Sequence, residues 1–452
     1  MKRTLCVIMA AVLFFSIALT GCGSAPKQPA NQAQSSNSAQ QETQQKKEEL
    51  KKTTQFSFWT FQALHQQFID DAVASWNKTN ENKPIAIKTD VYPYDEMHNK
   101  LLIALQSGTG APDIVDIEIS KYSNYLKGKN PALVPLNKIV EPELDKMIKA
   151  RFDNYAKDGK YYGIDYHVGA AVMYYNKEIL DKAGVNADDI KTWSDYVAAG
   201  KKVAAAAGVP MTTIEVTDQW TFHPMISQQG SDYLDKDGNP ILDNEINIKT
   251  LQFLKDMIYT DKIAIPTPGG HHHTEEYYAF MNKGGAASVL MPIWYMGRFV
   301  QYMPDLKGKI IVRPLPKWKD DGFRSAGMGG TGTSITVQCK NVDLAMEFLN
   351  FAKLSKEGAK KTWTVLGFDP IRWDVWEDPE MKADNKYTDY FGKGIFDMLM
   401  QIKDEINSIN VGEKFPAAAA AVKKDVMFKA LKEQSLTPEQ SLKATAEELR
   451  KK

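Results

Sequence analysis

The sequence predicts an α/β protein built on parallel strands and divided into two lobes. Three observations predict it. Strand and helix signals alternate from residue 56 onward. The stretch after the N-terminal region, about 400 residues, is long enough for two separate cores. Residues that follow strand ends are repeatedly aromatic, acidic or histidine, as expected where an open α/β sheet presents its ligand loops.

Taken in order, Phe56-Ser57-Phe58-Trp59 reads as a short apolar strand, and Leu64, Phe68, Ala72 and Trp76 then recur at helical spacing. Ile85, Ile87, Thr89 and Val91 alternate as a second strand. Asp95 is the expected N-cap of a helix carrying Met97, Leu101 and Leu105, which Gly108 stops. Ile114 to Ile119 forms a third strand after Ala111-Pro112-Asp113. This β-α-β-α-β order calls for a parallel sheet with helices on its faces. Helices follow near Trp193–Ala207 and Asn247–Thr260. Ala286–Leu290 reads as a strand ending in a turn at Met291-Pro292, and Lys309–Arg313 as another strand. Glycine-rich residues 327–332 precede the alternating strand Thr333 to Val337, with Cys339 placed in that strand. Asn341 is the expected cap of a helix bearing Leu344, Phe348, Leu349 and Ala352, and the tail from about Asp384 is mainly helical. No internal repeat occurs.

The N-terminus reads as a processing signal. Lys2 and Arg3 precede an apolar stretch from Leu5 to Leu19, too short and wrongly flanked for a stable span. It ends in Leu19-Thr20-Gly21-Cys22, which resembles a bacterial lipobox and would place a lipid on Cys22. Residues 23–54 are mostly Gln, Ser, Ala, Asn and Lys, too poor in apolar side chains to offset ordering entropy, and are expected to form a flexible tether. Lys+Arg and Asp+Glu are equal at 56 each, and no basic stripe appears, which argues against nucleic acid as a partner. Of three cysteines, Cys6 leaves with the signal and Cys22 is taken up by lipid, so Cys339 has no partner for a disulfide.

Six constellations could carry function. Trp59, Phe61 and His65 follow the first strand. Sugars present flat C–H faces and a rim of hydroxyls, so aromatic faces beside acidic, amide and imidazole groups suit them. A buried Trp with surface neighbours is the plainer alternative. Asp116 and Glu118 share one strand face, where burial without donors would cost several kcal/mol; sugar hydroxyls or a structural ion pair could supply them. Asp165 and His167 follow a glycine-bounded segment, and Glu215 and Trp220 lie in Thr213–Thr221. Trp294, Tyr295 and Arg298 follow a strand, and Asp369, Arg372 and Trp373 form a charged aromatic loop. His271-His272-His273 invites a metal, but three adjacent histidines cannot face one ion from regular structure, so a polar loop with one histidine near the ligand is expected. No metal, no cofactor and no catalytic nucleophile is expected: Gly-x-Ser-x-Gly and phosphate-cradling glycine loops are missing.

In combination these segments resemble the type 1 extracellular solute-binding proteins of ABC sugar importers. The resemblance runs from about Phe56 to the C-terminus. It rests on Phe58-Trp59, Gly110-Ala111-Pro112-Asp113-Ile114, Gly159-Lys160-Tyr161-Tyr162-Gly163-Ile164, Met173-Tyr174-Tyr175-Asn176-Lys177, Lys191-Thr192-Trp193-Ser194-Asp195, Phe280–Ala287 and Ala345–Phe351. Within the family, Val91-Tyr92-Pro93-Tyr94, Asp165–Gly169, Leu290–Arg298 and Gly367–Trp376 resemble the members that take arabino-oligosaccharides.

The resemblance implies a two-lobe, periplasmic-binding-protein-like fold (type II) with the ligand cleft between the lobes. The expected division is a signal peptide and lipobox at 1–22, the tether at 23–54, lobe 1 at 55–165 and 325–372, and lobe 2 at 166–324 and 373–452. Hinges are expected near 164–170, 318–326 and 370–376. It also implies a monomer held on the extracytoplasmic membrane face by its lipid, and partners consisting of an oligosaccharide, a heterodimeric ABC permease and a cytoplasmic ATPase. An extracellular glycosidase, which would also combine aromatics with paired carboxylates, and a binder of peptide or protein are the competing readings.

Overall fold

The computed structural model describes residues 53–407 and 409–451. The expectations for the signal peptide, for Cys22 and for most of the tether lie outside these residues. Two main sheets organise the described chain. In the first, β1 (Thr54–Thr60), β2 (Ile85–Val91) and β3 (Ile114–Glu118) run parallel in the order β3-β1-β2, with helices α1 (Ala63–Thr79) and α2 (Tyr94–Ser107) as crossovers. α1 buries His65, Phe68, Ile69, Ala72 and Trp76, a single face at helical spacing. α2 begins at Tyr94, directly after Pro93, so Asp95 is not its cap. Asp95 and Glu96 lie instead in the first turn, where negative charge favours the helix dipole. Gly108 ends the helix in the left-handed conformation, as expected.

The second sheet was only half legible. Its strands are β4 (Ala171–Asn176), β5 (Ser288–Pro292) and β6 (Ile310–Pro314), antiparallel, with β4 at the centre. All six residues of β4 are buried, so no polar face alternates with an apolar one to announce a strand. Period two still sorts them. Met173 and Tyr175 pack in a cluster with Val115 and Ile117, whereas Val172 and Tyr174 join Val289, Met291, Trp363 and Trp376. Met291 and Pro292 extend β5 rather than turning, because they pair with Val172 and Ala171.

β7 (Thr331–Ile335) then returns to the first sheet, antiparallel to β3, so that sheet is mixed. Cys339 lies beyond this strand and is buried. Asn341 precedes the helix Val342–Leu349 without a side-chain capping bond. Helices α3 (Trp193–Ala207) and α4 (Glu245–Tyr259) form at or within two residues of their expected places; Thr192 and Asp195 close a capping box on α3. No helix among the described residues is long and apolar enough to cross a membrane.

The chain passes between the sheets at residues 164–170. Isolated bridges pair Ile164 with Thr333, His167 with Pro370 and Ala170 with Gly327. The backbones approach so closely that a Cβ on Gly169, whose φ is +71°, would sit 2.0 Å from the Met328 carbonyl oxygen. Only glycine fits there. Beside this crossing, Asp165 accepts from Arg151 Nη2 at 2.6 Å, Tyr155 Oη at 2.8 Å and the Thr331 amide at 3.0 Å. Burial works to raise its pKa, but Arg151, then His167 and these hydrogen bonds, bring it down to about 2. Breaking a buried ion pair by removing one charge costs about 3–5 kcal/mol. Asp165→Asn should lose about that much in denaturant unfolding at pH 7; a loss below about 1 kcal/mol would show that the pair holds nothing. The carboxylate's contribution should be complete above the ordinary value of 3.8 and disappear as pH falls through about 2.

Candidate functional site

The loops beyond the carboxyl ends of β1, β3 and β5 enclose a cavity of about 470 Å³. One wall comes from the first sheet: Phe61 and His65 after β1, Tyr94 after β2, and Glu118 at the end of β3. Asp218, Trp220, His271, His273, Trp294, Arg298 and Lys423 form the facing wall. His167, Phe368 and the glycine pair Gly329-Gly330 line it near the crossing segments.

The facing wall is built on aromatic planes. Trp220 and Trp294 meet edge to face, with centroids 5.1 Å apart and planes at 79°, and make a corner. His273 lies flat against Trp294 at 5.7 Å. Burial holds the His273 imidazole well below its usual pKa, so it is neutral and extends the apolar surface. Trp294 Nε1 donates to the Met328 carbonyl at 3.1 Å, which fixes the ring plane. Lys423 pairs with Asp218 at 3.2 Å and lies 5.8 Å from the Trp220 ring centroid. Across the cavity, Phe61 meets Tyr94 edge-on at 5.3 Å. Tyr94 Oη donates to Glu118 at 2.7 Å, and the Ser120 amide donates to the same oxygen at 2.9 Å.

Of the residues singled out from sequence, Phe61, His65, Glu118, His167, Trp220, Trp294 and Arg298 line this cavity. Four carboxylates lie behind the walls, fully buried, and hold them. Asp116 accepts from His65 Nδ1 at 2.8 Å and from the hydroxyls of Thr60, Thr333 and Tyr166 at 3.0, 2.7 and 3.2 Å. Its donors are thus internal rather than sugar hydroxyls. Burial works to raise its pKa, but His65, the charge of Lys353 and the Thr333 hydroxyl together leave it below the ordinary value. Asp165 holds Arg151, whose guanidinium donates to the Gly329 carbonyl. Glu215 accepts from the Trp220 amide at 2.7 Å and the His272 amide at 2.9 Å, fixing both the Trp corner and the histidine loop. Asp369 accepts from the Gly169 and Ala170 amides at 3.1 and 2.7 Å; burial pushes its pKa up to about 7 against those bonds.

The remaining four sit outside the lining. Trp59 is packed edge-on against Tyr92, with Lys100 over its ring. Tyr295 is buried and donates to the His272 carbonyl at 2.5 Å, a support beneath the loop. Arg372 pairs with Glu143 at 2.7 Å and Asp374 at 2.8 Å. Trp373 is half-buried beside Lys403. Sequence reasoning missed Tyr94 and Lys423, and it expected one histidine of the 271–273 loop where two, His271 and His273, line the cavity. Tyr94 follows a strand end, so the rule applied to its neighbours would have found it. Lys423 sits in the helical tail with no strand before it, and nothing local marks it. Among the described residues no group of His, Cys, Asp and Glu is arranged to hold a metal ion.

Residues 61–359 match the family model of the bacterial extracellular solute-binding proteins. The chain is 57% identical over 401 residues to the arabinooligosaccharide-binding protein of Bacillus subtilis (strain 168), covering 88% of this chain and 92% of that one. It is 51% identical over 400 residues to the arabinooligosaccharide-binding protein of Halalkalibacterium halodurans, covering 88% and 90%. The fold matches an ABC substrate-binding protein of Listeria monocytogenes in complex with cycloalternan, with a TM-score of 0.72 at 21% identity over 88% of this chain and 98% of that one. Maltose-bound MalE3 of T. maritima matches with a TM-score of 0.71 at 19% identity, over 88% and 99%. This chain belongs to the bacterial extracellular solute-binding proteins, and it is a binding protein rather than an enzyme.

Proposed function

We propose that the protein captures arabino-oligosaccharides in the cavity between its lobes and delivers them to an ABC importer. The observation that carries this reading is the paired wall: flat aromatic faces of Trp220, Trp294 and Phe61 beside Glu118, Arg298 and four histidines, in one cavity. Stacking planes fit the C–H faces of sugar rings, and the polar groups fit their hydroxyls. The identity to two relatives named for arabino-oligosaccharides supports this sugar class over others.

In this reading Phe61, His65, Glu118, His167, Trp220, Trp294 and Arg298 touch the ligand. Asp116, Asp165, Glu215 and Asp369 act from behind. Lobe 1 comprises 55–165 and 325–372, lobe 2 comprises 166–324 and 373–452, and the hinges lie near 164–170, 318–326 and 370–376. Only a closed state brings both walls onto the sugar, so binding favours closure. The closed monomer then docks on a heterodimeric permease served by a cytoplasmic ATPase. Residues 1–22 act as a lipoprotein signal, and a lipid on Cys22 anchors the tethered body to the extracytoplasmic membrane face.

Titration with arabino-oligosaccharides should give a saturable change in tryptophan fluorescence, with none for peptides. A flat response to every neutral oligosaccharide would overturn the reading. Trp294→Ala should weaken binding tenfold or more, about 1.4 kcal/mol, with an unchanged melting temperature. If that variant melts early instead, Trp294 is a packing residue. Cys22→Ser should move the protein from the membrane fraction to the soluble fraction, at unchanged sugar affinity; retention at the membrane would exclude the lipid anchor.

A further inference from the structure

A buried ammonium lies behind the cavity. Lys353 belongs to Asn350–Leu354, a π-helical turn that continues the helix Val342–Leu349, and only 3% of its surface is exposed. Lysine is almost never enclosed unless it is paired. Here, among the described residues, its Nζ forms no ion pair and is held by neutral groups. It donates to the Ile164 carbonyl at 2.7 Å and to the Thr333 hydroxyl, and it lies 3.2 Å from the centroid of the Tyr166 ring. The hydrogens of an ammonium match these partners, two oxygens and a π face. Burial lowers its pKa to about 7, against the attraction of Asp116 and Asp165.

Each of these partners leads onward. The Tyr166 ring that meets the ammonium also stacks on the His65 imidazole, at 4.3 Å with planes 23° apart, and His65 lines the cavity. The Thr333 hydroxyl donates to Asp116 at 2.7 Å, and Asp116 accepts from His65 Nδ1 at 2.8 Å and Tyr166 Oη at 3.2 Å. The Ile164 carbonyl also accepts from the Thr333 amide at 2.9 Å and opens the segment that crosses between the sheets. One cation is thus joined to a lining side chain through Tyr166 and through Thr333, and to the crossing through Ile164. Few charges face it: Asp116 and Asp165 attract it, and the neutral ring of His167 feels its field. On the helices packed against its segment, Asp70, Asp71, Lys138, Asp343, Glu347 and Glu357 are exposed.

We propose that Lys353 is a positioning residue of the ligand cavity: its ammonium fixes the Tyr166 ring on which His65 stacks and ties that ring to the crossing segment. Lys353 does not line the cavity itself; it acts through Tyr166, Thr333 and Asp116. Losing its proton removes the attraction of the charge for the ring face and for Asp116, while the neutral amine still donates to Ile164. The ammonium is complete below about 7 and disappears as pH rises through that value, so its hold on the ring fades on the alkaline side. The ligand in this inference rests on the proposed oligosaccharide reading; the coupling from Lys353 to His65 does not.

Two measurements test it. In the ligand-free protein, the carbon-13 ring signal of Tyr166, identified by its loss in Tyr166→Phe, should shift with a midpoint of about 7 and stay fixed in Lys353→Met. Burial holds the Tyr166 hydroxyl far above its ordinary pKa, so the ring does not ionise itself. A signal indifferent to pH, or one that titrates unchanged in Lys353→Met, overturns the proposal whatever the protein binds. Arabinotriose affinity of the wild-type protein should fall about threefold or more from about pH 6 to about pH 9, and Lys353→Met should bind about tenfold more weakly with no such fall. Wild-type affinity and profile in the Met variant overturn the positioning role. Should that variant fail to fold, Tyr166→Leu keeps the ammonium and removes the ring: a flat profile supports the proposal, and the wild-type profile overturns it. A responding Tyr166 signal in a protein that binds no neutral oligosaccharide sinks the proposed function and leaves the coupling standing.

Discussion

A carboxylate taken out of water must be given donors, and in this protein that requirement shapes the cavity. Asp116, Asp165, Glu215 and Asp369 are all almost wholly buried, and each is satisfied by groups that form or support the lining. Unpaired, each would cost several kcal/mol. Paired, each fixes two or more backbone amides or side chains at once. Glu215 is the clearest instance: one oxygen holds the amide of Trp220, the other that of His272. Burial pushes its pKa well up, and these two amide bonds act against that rise.

This arrangement explains why the site was partly legible and partly misread. The rule that ligand loops follow strand ends picked out Phe61, His65, Glu118 and Trp294, which line one cavity, because strand ends are recognisable from local sequence. The acids were read from the same positions, and they are indeed there. Sequence cannot tell whether a carboxylate at a strand end points into the cavity or under it. Asp116 and Glu118 share a strand face, yet Asp116 is closed over by Thr60, Thr333 and Tyr166 while Glu118 reaches the lining. The deciding partners are 50 to 217 residues away in the chain. The same holds for Arg372, claimed by Glu143 from 229 residues away.

The fold follows a similar division. Elements with one wet face, such as α1, α2 and β2, declared themselves through periodicity. β4 did not, because a strand covered on both faces carries no polar alternation. The return of β7 beside β3 in the opposite direction was equally hidden, since direction within a sheet depends on where the intervening chain has travelled.

The anchoring acids also bear on how such a cavity can open. Asp116 draws its donors from β1, α1 and β7 on the first-sheet side and from Tyr166 in the crossing segment. Glu215 draws both of its amide donors from the facing wall. Neither anchor bridges the gap, so parting the walls breaks none of these bonds. Under the proposed closure each wall therefore keeps its shape, and ligand binding need not order loose side chains. Ordering costs about 0.5–1.5 kcal/mol for each immobilised side chain, and a micromolar complex is worth only about 8 kcal/mol in total. Walls that arrive already formed leave most of the contact energy for closure itself. The close fit lies in the crossing segment, where Gly169 passes under Met328 with no room for a side chain. Asp369 holds the Gly169 and Ala170 amides there, and Asp165 holds the Tyr166 and Thr331 amides beside it, so under the proposed closure these two anchors sit at the crossing while the other two sit in the walls.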